Sequence, residues 1–365
     1  MHIQQIRLTN FRNFSETVVS FSERRNLIIG RNAQGKTNLL EAIHILGVGR
    51  SHRERREANL IKFGESFYRI EGVFSHIGVR NVVEVAYGEQ RKRIRINGKD
   101  VRPVDLIGFV GVVISSPEDI ALVKGSPGVR RLFLDVAVSQ IRKDYLKALQ
   151  RYLRVLEQRN ELLRRAQVTG QVPSQISIWT GKLIEIGGEI VTHRLRYLSE
   201  IESMVSGNFQ SIAGRDHAVR LVYSPKGYEL DGNGGVTEPM ARALDEMADA
   251  EVSRGHTLIG PHLDDFMFEV DRRDLRLFGS EGEQRTAVLA LRCAEAQAMK
   301  TLTGRMPIVL LDDVFAELDN ERASALRALI SKFDQIILTS ARPVEIDSES
   351  LHVIEISEGR VTSVG

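Results

Sequence analysis

Residues Gly30-Arg31-Asn32-Ala33-Gln34-Gly35-Lys36-Thr37 fit the pattern G-x-x-x-x-G-K-[ST], and no other run restricts the fold of this chain so strongly. Such a loop works only between a buried strand and the first turn of a helix, where backbone N–H groups and the helix dipole converge on an anion. Both neighbours are present. Leu27-Ile28-Ile29 is a short apolar run of the kind buried in parallel sheets, and Asn38-Leu39-Leu40-Glu41-Ala42-Ile43 opens a helical pattern. The spacing predicts a nucleoside triphosphate cradled by Gly30 to Asn38. Lys36 is placed to reach the β- and γ-phosphates, and the Thr37 hydroxyl to ligate Mg²⁺.

A second half of the site lies far downstream. Ile308-Val309-Leu310-Leu311-Asp312-Asp313 is an apolar strand ending in two acids, and functional groups collect at the carboxyl ends of parallel strands. Asp312 is the expected metal holder, and Asp313, one residue on, the base that polarises an attacking water. Small GTPases keep these two elements close together, and this chain has no Asn-Lys-x-Asp run. The long insertion is instead the layout of ABC-type ATPases. Just before the second half comes Phe278-Gly279-Ser280-Glu281-Gly282-Glu283-Gln284-Arg285, which opens a helix and offers a second anion-binding N-terminus. In ABC ATPases the equivalent signature, here Ser280, Gly282, Glu283 and Gln284, reads the ATP bound to the other subunit. Ala316-Glu317-Leu318-Asp319 resembles the D-loop that crosses the same dimer interface.

Several further runs carry a closer resemblance. Asn10-Phe11-Arg12-Asn13-Phe14, Gly35 to Ala42, Ser116 to Pro127, Arg130 to Asp135, Thr257 to Asp265 and the Ser280 to Arg285 signature are similar to those of the RecF family, from the first strand to the last motif. The resemblance implies an α/β fold, an ABC-ATPase head of SMC-like type with an inserted helical domain that contains a short antiparallel hairpin. It implies ATP and Mg²⁺ as cofactors, with Arg12 and Asn38 among the ATP-binding residues and Lys36 and Asp313 as catalytic ones. It further implies dimerisation on ATP, binding to double-stranded DNA and to single/double-strand junctions, and work with RecO and RecR to load RecA in gap repair and SOS induction. The alternative is the head ATPase of a chromosome-organising or break-repair complex.

The chain departs from the family pattern at four points. Ala33 stands where many relatives have glycine. Asp313 replaces the usual glutamate, one methylene longer, which fits slow hydrolysis used as a timer. Leu263 stands where arginine is expected in Gly260-Pro261-His262-Leu263-Asp264-Asp265, whose His262 and Asp264 read as structural or interface residues. Leu338-Thr339-Ser340-Ala341-Arg342-Pro343 has no switch histidine, leaving Thr339 or Ser340 to sense the γ-phosphate.

Composition narrows the setting. One cysteine, Cys293, excludes an internal disulfide and fits a reducing compartment. The alternating N-terminus has no apolar signal core, and no apolar run approaches a membrane span, so a cytoplasmic protein without membrane partners is expected. With so little chain after Val353 to Ile356, a C-terminal nuclease domain is not expected. Of 50 basic residues 11 are lysine and 39 arginine, a skew that suits bidentate phosphate recognition. Residues 131–200 carry net +5 (12 basic, 7 acidic) and residues 231–284 net −8 (5 basic, 13 acidic). The candidate DNA contacts are Arg50, Arg53, Arg55 and Arg56, and Arg91, Arg93 and Arg95 on a strand that turns at Asn97-Gly98.

Along the chain, residues 1–115 read mainly as strands. From about residue 130 two apolar stripes, Tyr145 to Leu163 and Trp179 to Val205, flank a turn near Gly170 to Pro173. They predict an αα-hairpin with arms of about 25–30 residues, in which His193 is a packed side chain. A loop follows at Asp231 to Gly235, then an acidic helix near Met240 to Val252. The expected division is an ATPase domain of 1–115 plus 255–365 with a helical lobe of 116–254.

Overall fold

The computed structural model describes residues 1–214, 217–230, 235–342 and 351–364. The loop expected at Asp231 to Gly235 lies outside them except for Gly235, as does Pro343. Contacts divide the chain into two compact units. The first comprises 1–119, 204–216 and 285–365, and the second 120–203 and 217–284. Residues 255–284, expected with the ATPase domain, thus cluster with the helical lobe, because Asp265–Val270 pairs with Val219–Ser224 of that lobe.

The first unit contains two six-stranded sheets. One is antiparallel and runs in the order Phe14–Ser20, His2–Phe11, Phe67–His76, Val79–Gly88, Arg91–Ile96, Lys99–Asp100. The other has the order Arg360–Val364, Leu351–Ser357, Arg25–Ile29, Gln335–Ser340, Ile308–Asp312, Val112–Ser115. Its strands are parallel except for the edge strand Arg360–Val364. Ile308–Asp312 and Gln335–Ser340 are buried at every residue, as strands in the middle of a covered parallel sheet are.

Helix Lys36–Val48 is buried along almost its whole length. Leu39, Leu40, Ile43 and Leu46 share one core cluster with Ile6, Leu8 and Phe11 of the antiparallel sheet and with Ile28, Leu310 and Ile337 of the parallel one. A helix covered on all sides has no polar face to present to water. Its two polar interior residues, Glu41 and His44, are therefore buried too, and each needs an internal partner.

The second unit holds the expected hairpin as far as Ser203, and the last turns of its second arm belong to the first unit. Its first arm is Lys143–Thr169, ended by left-handed Gly170, and its second is Ile176–Ala213, at 27 and 38 residues. The second arm outruns expectation because its apolar stripe continues through Val205, Phe209 and Ile212, all buried. The acidic helix is two helices, Thr237–Glu246 and Ala248–Arg254, broken at Met247. His193 is packed against Tyr145, with its Nε2 3.5 Å from Asp144. Among the described residues no helix is long and apolar enough to cross a membrane.

Candidate nucleotide site

The strand Arg25–Ile29 delivers the glycine loop and helix Lys36–Val48 receives it. Gly35 is the N-cap residue, at φ 116 and ψ 2, and no side chain caps the helix. A first turn with no side-chain cap keeps its N–H groups for an anion. A Cβ on Gly35 would stand 2.7 Å from Asn13 Nδ2, and one on Gly30 2.3 Å from the Ile356 carbonyl oxygen. Both glycines are thus demanded by close approach, and Gly35 by its backbone angle as well. Ala33 between them has φ 64, a left-handed conformation that disfavours an L side chain by roughly 1 kcal/mol.

The loop is braced from two directions. Asn13, in the turn between the first two strands, donates through Nδ2 to the Gln34 carbonyl at 2.9 Å and accepts from Asn38 Nδ2 at 2.9 Å. The Gly359 N–H donates to that same carbonyl at 3.1 Å, and the Glu358 N–H to Gln34 Oε1 at 2.6 Å. Asn13 belongs to the Asn10–Phe14 run on which the family resemblance rests, but nothing local names its partners.

Lys36 folds back over the loop and donates to the carbonyls of Gly30 at 2.7 Å and Arg31 at 3.0 Å. Burial pushes its ammonium below the usual lysine range, and the charges of Asp313 and Asp312 push it back up. The Thr37 hydroxyl donates to Asp312 Oδ1 at 3.1 Å, and the Thr339 hydroxyl to the same oxygen at 2.5 Å. Burial raises the Asp312 carboxyl above its ordinary value, while the hydrogen bonds from Thr339 and Thr37 oppose it. Asp313, at φ 50, donates its N–H to Thr339 Oγ1 at 3.0 Å. Lys36, Thr37, Asn38, Asp312 and Asp313 line one cleft of about 370 Å³, a size that suits a small ligand. Arg53 and Glu118 line it too, 3.5 Å apart.

Not every expected residue gathers there. Arg12 does not line the cleft. Its Nε and Nη2 grip Glu41 at 2.9 and 2.8 Å, and Nη1 reaches the Asn59 carbonyl at 3.1 Å. It is the partner the buried Glu41 requires, together with the Ser51 hydroxyl at 2.5 Å. Ser280 and Glu283 form a capping box at the start of helix Glu281–Thr303. The Ser280 N–H and hydroxyl each donate to Glu283 Oε2 at 2.8 Å, and the Glu283 N–H donates to Ser280 Oγ at 3.3 Å. Gln284 Nε2 donates to the Leu275 and Gly279 carbonyls at 3.0 and 3.2 Å, which fixes the approach to the Gly282 turn. These signature residues belong to the second unit and the glycine loop to the first.

In the D-loop run, the Ala316 N–H donates to the Asp313 carbonyl at 3.2 Å and the Leu318 N–H to the Phe315 carbonyl at 3.4 Å. Glu317 pairs with Arg285. Asp319 caps helix Asn320–Ile330 by accepting from the Arg322 N–H at 2.9 Å.

The arginine candidates divide. Arg53 lines the cleft, Arg55, Arg56 and Arg91 are exposed, and Arg50 lies exposed at the loop start. Arg93 holds Asp100 with Nε and Nη2 at 2.7 and 2.8 Å. Arg95 meets Asp100 at 3.2 Å and Glu84 at 3.5 Å. Arg93 and Arg95 thus share one acid, because the two-residue strand after the Asn97-Gly98 turn brings Asp100 opposite Arg95.

In the second unit the Gly260 to Asp265 run is interior scaffolding. Asp264 accepts from the Tyr223 hydroxyl at 2.8 Å, the Tyr228 hydroxyl at 3.0 Å and the Lys226 N–H at 3.0 Å. His262 Nδ1 lies 2.7 Å from the Tyr152 hydroxyl, and burial drives its imidazole down to about 4. The fully buried Arg194 joins the Pro261 carbonyl at 2.7 Å to Asp135 at 2.8 Å.

A glycine loop, a lysine and a strand-end aspartate on a parallel sheet, in a chain that also carries a capped signature helix, define a P-loop ATPase of the SMC-head class. Residues 2–361 match the model of the RecF/RecN/SMC N-terminal domain. The chain is 36% identical over its full length to the full length of the DNA replication and repair protein RecF of Halalkalibacterium halodurans. It is also 36% identical to that of Geotalea daltonii, covering 99% of this chain and 100% of that one. A solved structure described as the recombination mediator protein RecF with ATP in the RecFOR pathway superposes with a TM-score of 0.90 at 33% identity, covering 99% of this chain and 97% of the other. An SMC head bound to a winged-helix domain of ScpA shares the fold at a TM-score of 0.57 and 17% identity. The chain belongs to the RecF family.

Proposed function

We propose that this chain is an ATP- and Mg²⁺-dependent DNA-binding switch of recombinational gap repair and DNA replication, acting with RecO and RecR to promote RecA loading and the SOS response. The carrying observation is the convergence of Lys36, Thr37, Asp312 and Asp313 on one cleft at the uncapped N-terminus of a buried helix.

The residues fit the cofactors. The Thr37 hydroxyl and Asp312 carboxylate are hard oxygen donors side by side, the kind Mg²⁺ takes when substrate phosphates supply the rest of its shell. They would hold the ion, whose chemistry is to neutralise charge on the β- and γ-phosphate oxygens. Backbone N–H groups of Ala33 to Thr37 would cradle the phosphates, and Lys36 would trade the Gly30 and Arg31 carbonyls for phosphate oxygens. Asp313 would take a proton from the water attacking the γ-phosphorus. Its short side chain, on a backbone pinned at its N–H, supports slow turnover.

The capped Ser280 signature is assigned to the nucleotide of a second copy, so that ATP closes a dimer. Arg55, Arg56 and Arg91, exposed and clear of acidic partners among the described residues, lead the DNA contacts, which are to phosphates and therefore weaken steeply with salt. Lys36→Ala removes ATP-dependent dimerisation and the ATP-stimulated part of binding to duplex and gapped DNA. Sedimentation that finds only monomer for the unaltered protein with ATP and Mg²⁺ would refute the switch.

A further inference from the structure

We infer that Thr339 is a positioning residue that sets both acids of the nucleotide site at once, an inference that rests on the nucleotide reading above. Gln335–Ser340 runs parallel to Ile308–Asp312 with Thr339 directly beside Asp312 in the register. Thr339 is only 2% exposed, so water does not compete for its hydroxyl. That hydroxyl has one proton, and the proton goes to Asp312 Oδ1 at 2.5 Å. Its oxygen in turn accepts the Asp313 N–H at 3.0 Å.

Two consequences follow from a single hydroxyl with one donor and one acceptor role filled. Asp312 receives both of its protein hydrogen bonds, from Thr37 and Thr339, on Oδ1. Among the described residues no donor reaches Oδ2, so the carboxylate is turned with one oxygen anchored and the other presented. Asp313 lies at φ 50, a conformation a non-glycine residue holds only when its surroundings impose it. Its N–H is held by Thr339 and its carbonyl by the Ala316 N–H at 3.2 Å. One threonine therefore orients the carboxylate that faces the metal and fixes the turn that aims its neighbour. With its proton committed, Thr339 has none to offer a phosphate.

The test is equilibrium binding of ATP by calorimetry, in Mg²⁺ and in EDTA, for the unaltered chain and for Thr339→Val and Thr339→Ser. Valine keeps the branched shape and removes the hydroxyl. Groups that orient a metal ligand are worth about ten- to a hundredfold in metal affinity, so Thr339→Val should weaken binding in Mg²⁺ by that factor. Binding in EDTA should stay within about twofold, and Thr339→Ser should restore the Mg²⁺ gain. Equal weakening in both buffers, no weakening, or a serine variant that behaves like valine would overturn the inference. If Thr339→Val does not give a cooperative melt, Thr339→Ala, which leaves room for a water, carries the same expectations. An unaltered chain that gains nothing from Mg²⁺ would instead sink the nucleotide reading itself.

Discussion

Asn13 is one of the residues through which the nucleotide loop depends on other parts of the chain, and Asn13→Ala measures its share. The substitution removes the bond from Nδ2 to the Gln34 carbonyl and the bond from Asn38 Nδ2 to Oδ1, both 2.9 Å long. A typical intramolecular hydrogen bond contributes about 0.5–1.5 kcal/mol net, so the pair is worth about 2 kcal/mol. The Gln34 carbonyl keeps the Gly359 N–H at 3.1 Å, and the loop can relax toward water without unfolding the sheet beneath it. Most of the loss should then appear when ATP has to reorder the loop. At 1.4 kcal/mol per tenfold, Kd rises by roughly 30-fold, while the free energy of unfolding falls by less than about 2 kcal/mol. Calorimetric titration with ATP·Mg²⁺ and a urea melt of the same preparation give the two numbers. A Kd within threefold of the unaltered protein, in a variant that melts normally, would refute the idea that Asn13 braces the loop.

Two further outcomes follow from the buried charges. Arg12→Ala should destabilise the first unit by about 3 kcal/mol, because it leaves the fully buried Glu41 without its bidentate partner. The drop should show in the urea midpoint, whereas an effect confined to ATP affinity would return Arg12 to the nucleotide. The protein should also lose stability in mild acid. Burial holds His262 down to about 4 and His52 to about 3, and His44 is lowered in the same direction. An unfolded chain binds these protons near pH 6.5 and the folded one does not, so stability is complete above that pH. It falls by up to about 1.4 kcal/mol per pH unit for each group as pH drops through the window between the two values. Urea midpoints at pH 7.5, 5.5 and 4.5 that do not move would contradict this, and His262→Gln should flatten the slope.

How far the site was legible depended on how local each relationship is. Gly30 to Thr37 and Ile308 to Asp313 announce themselves, because strand, loop and helix start are consecutive in the chain and leave a contiguous pattern. The duties of Asn13 and Thr339 do not. The first depends on a turn meeting a loop at Gln34, the second on a strand register that sets Asp312 beside Thr339, and neither pairing leaves a mark in either segment alone. Arg12 is similar, since its place in a motif beside a phosphate loop does not reveal the buried glutamate on the adjoining helix that it grips. The acid that Arg93 and Arg95 share is likewise hidden in the sequence, since only the hairpin turn brings Asp100 back alongside them. The grouping of contacts is hidden in the sequence for a related reason. The strand Asp265–Val270 precedes the signature in sequence but pairs within the helical unit.

The position of Arg25–Ile29 between Gln335–Ser340 and Leu351–Ser357 has a bearing on how the protein is made. The phosphate loop is translated early, yet both strands that flank its own strand are translated roughly 300 residues later. At about 5–20 residues per second, the ribosome would carry an apolar strand with two open edges for on the order of 15 to 60 s. During that interval the helix Lys36–Val48 can pack on the antiparallel sheet and on Val112–Ser115, but not on the three strands Ile308–Asp312, Gln335–Ser340 and Leu351–Ser357. Prematurely terminated chains would therefore contain the whole glycine motif and still fail to assemble its cradle. They would be a hazard as sticky fragments for chaperones and proteases to clear, and not as half-active competitors for ATP.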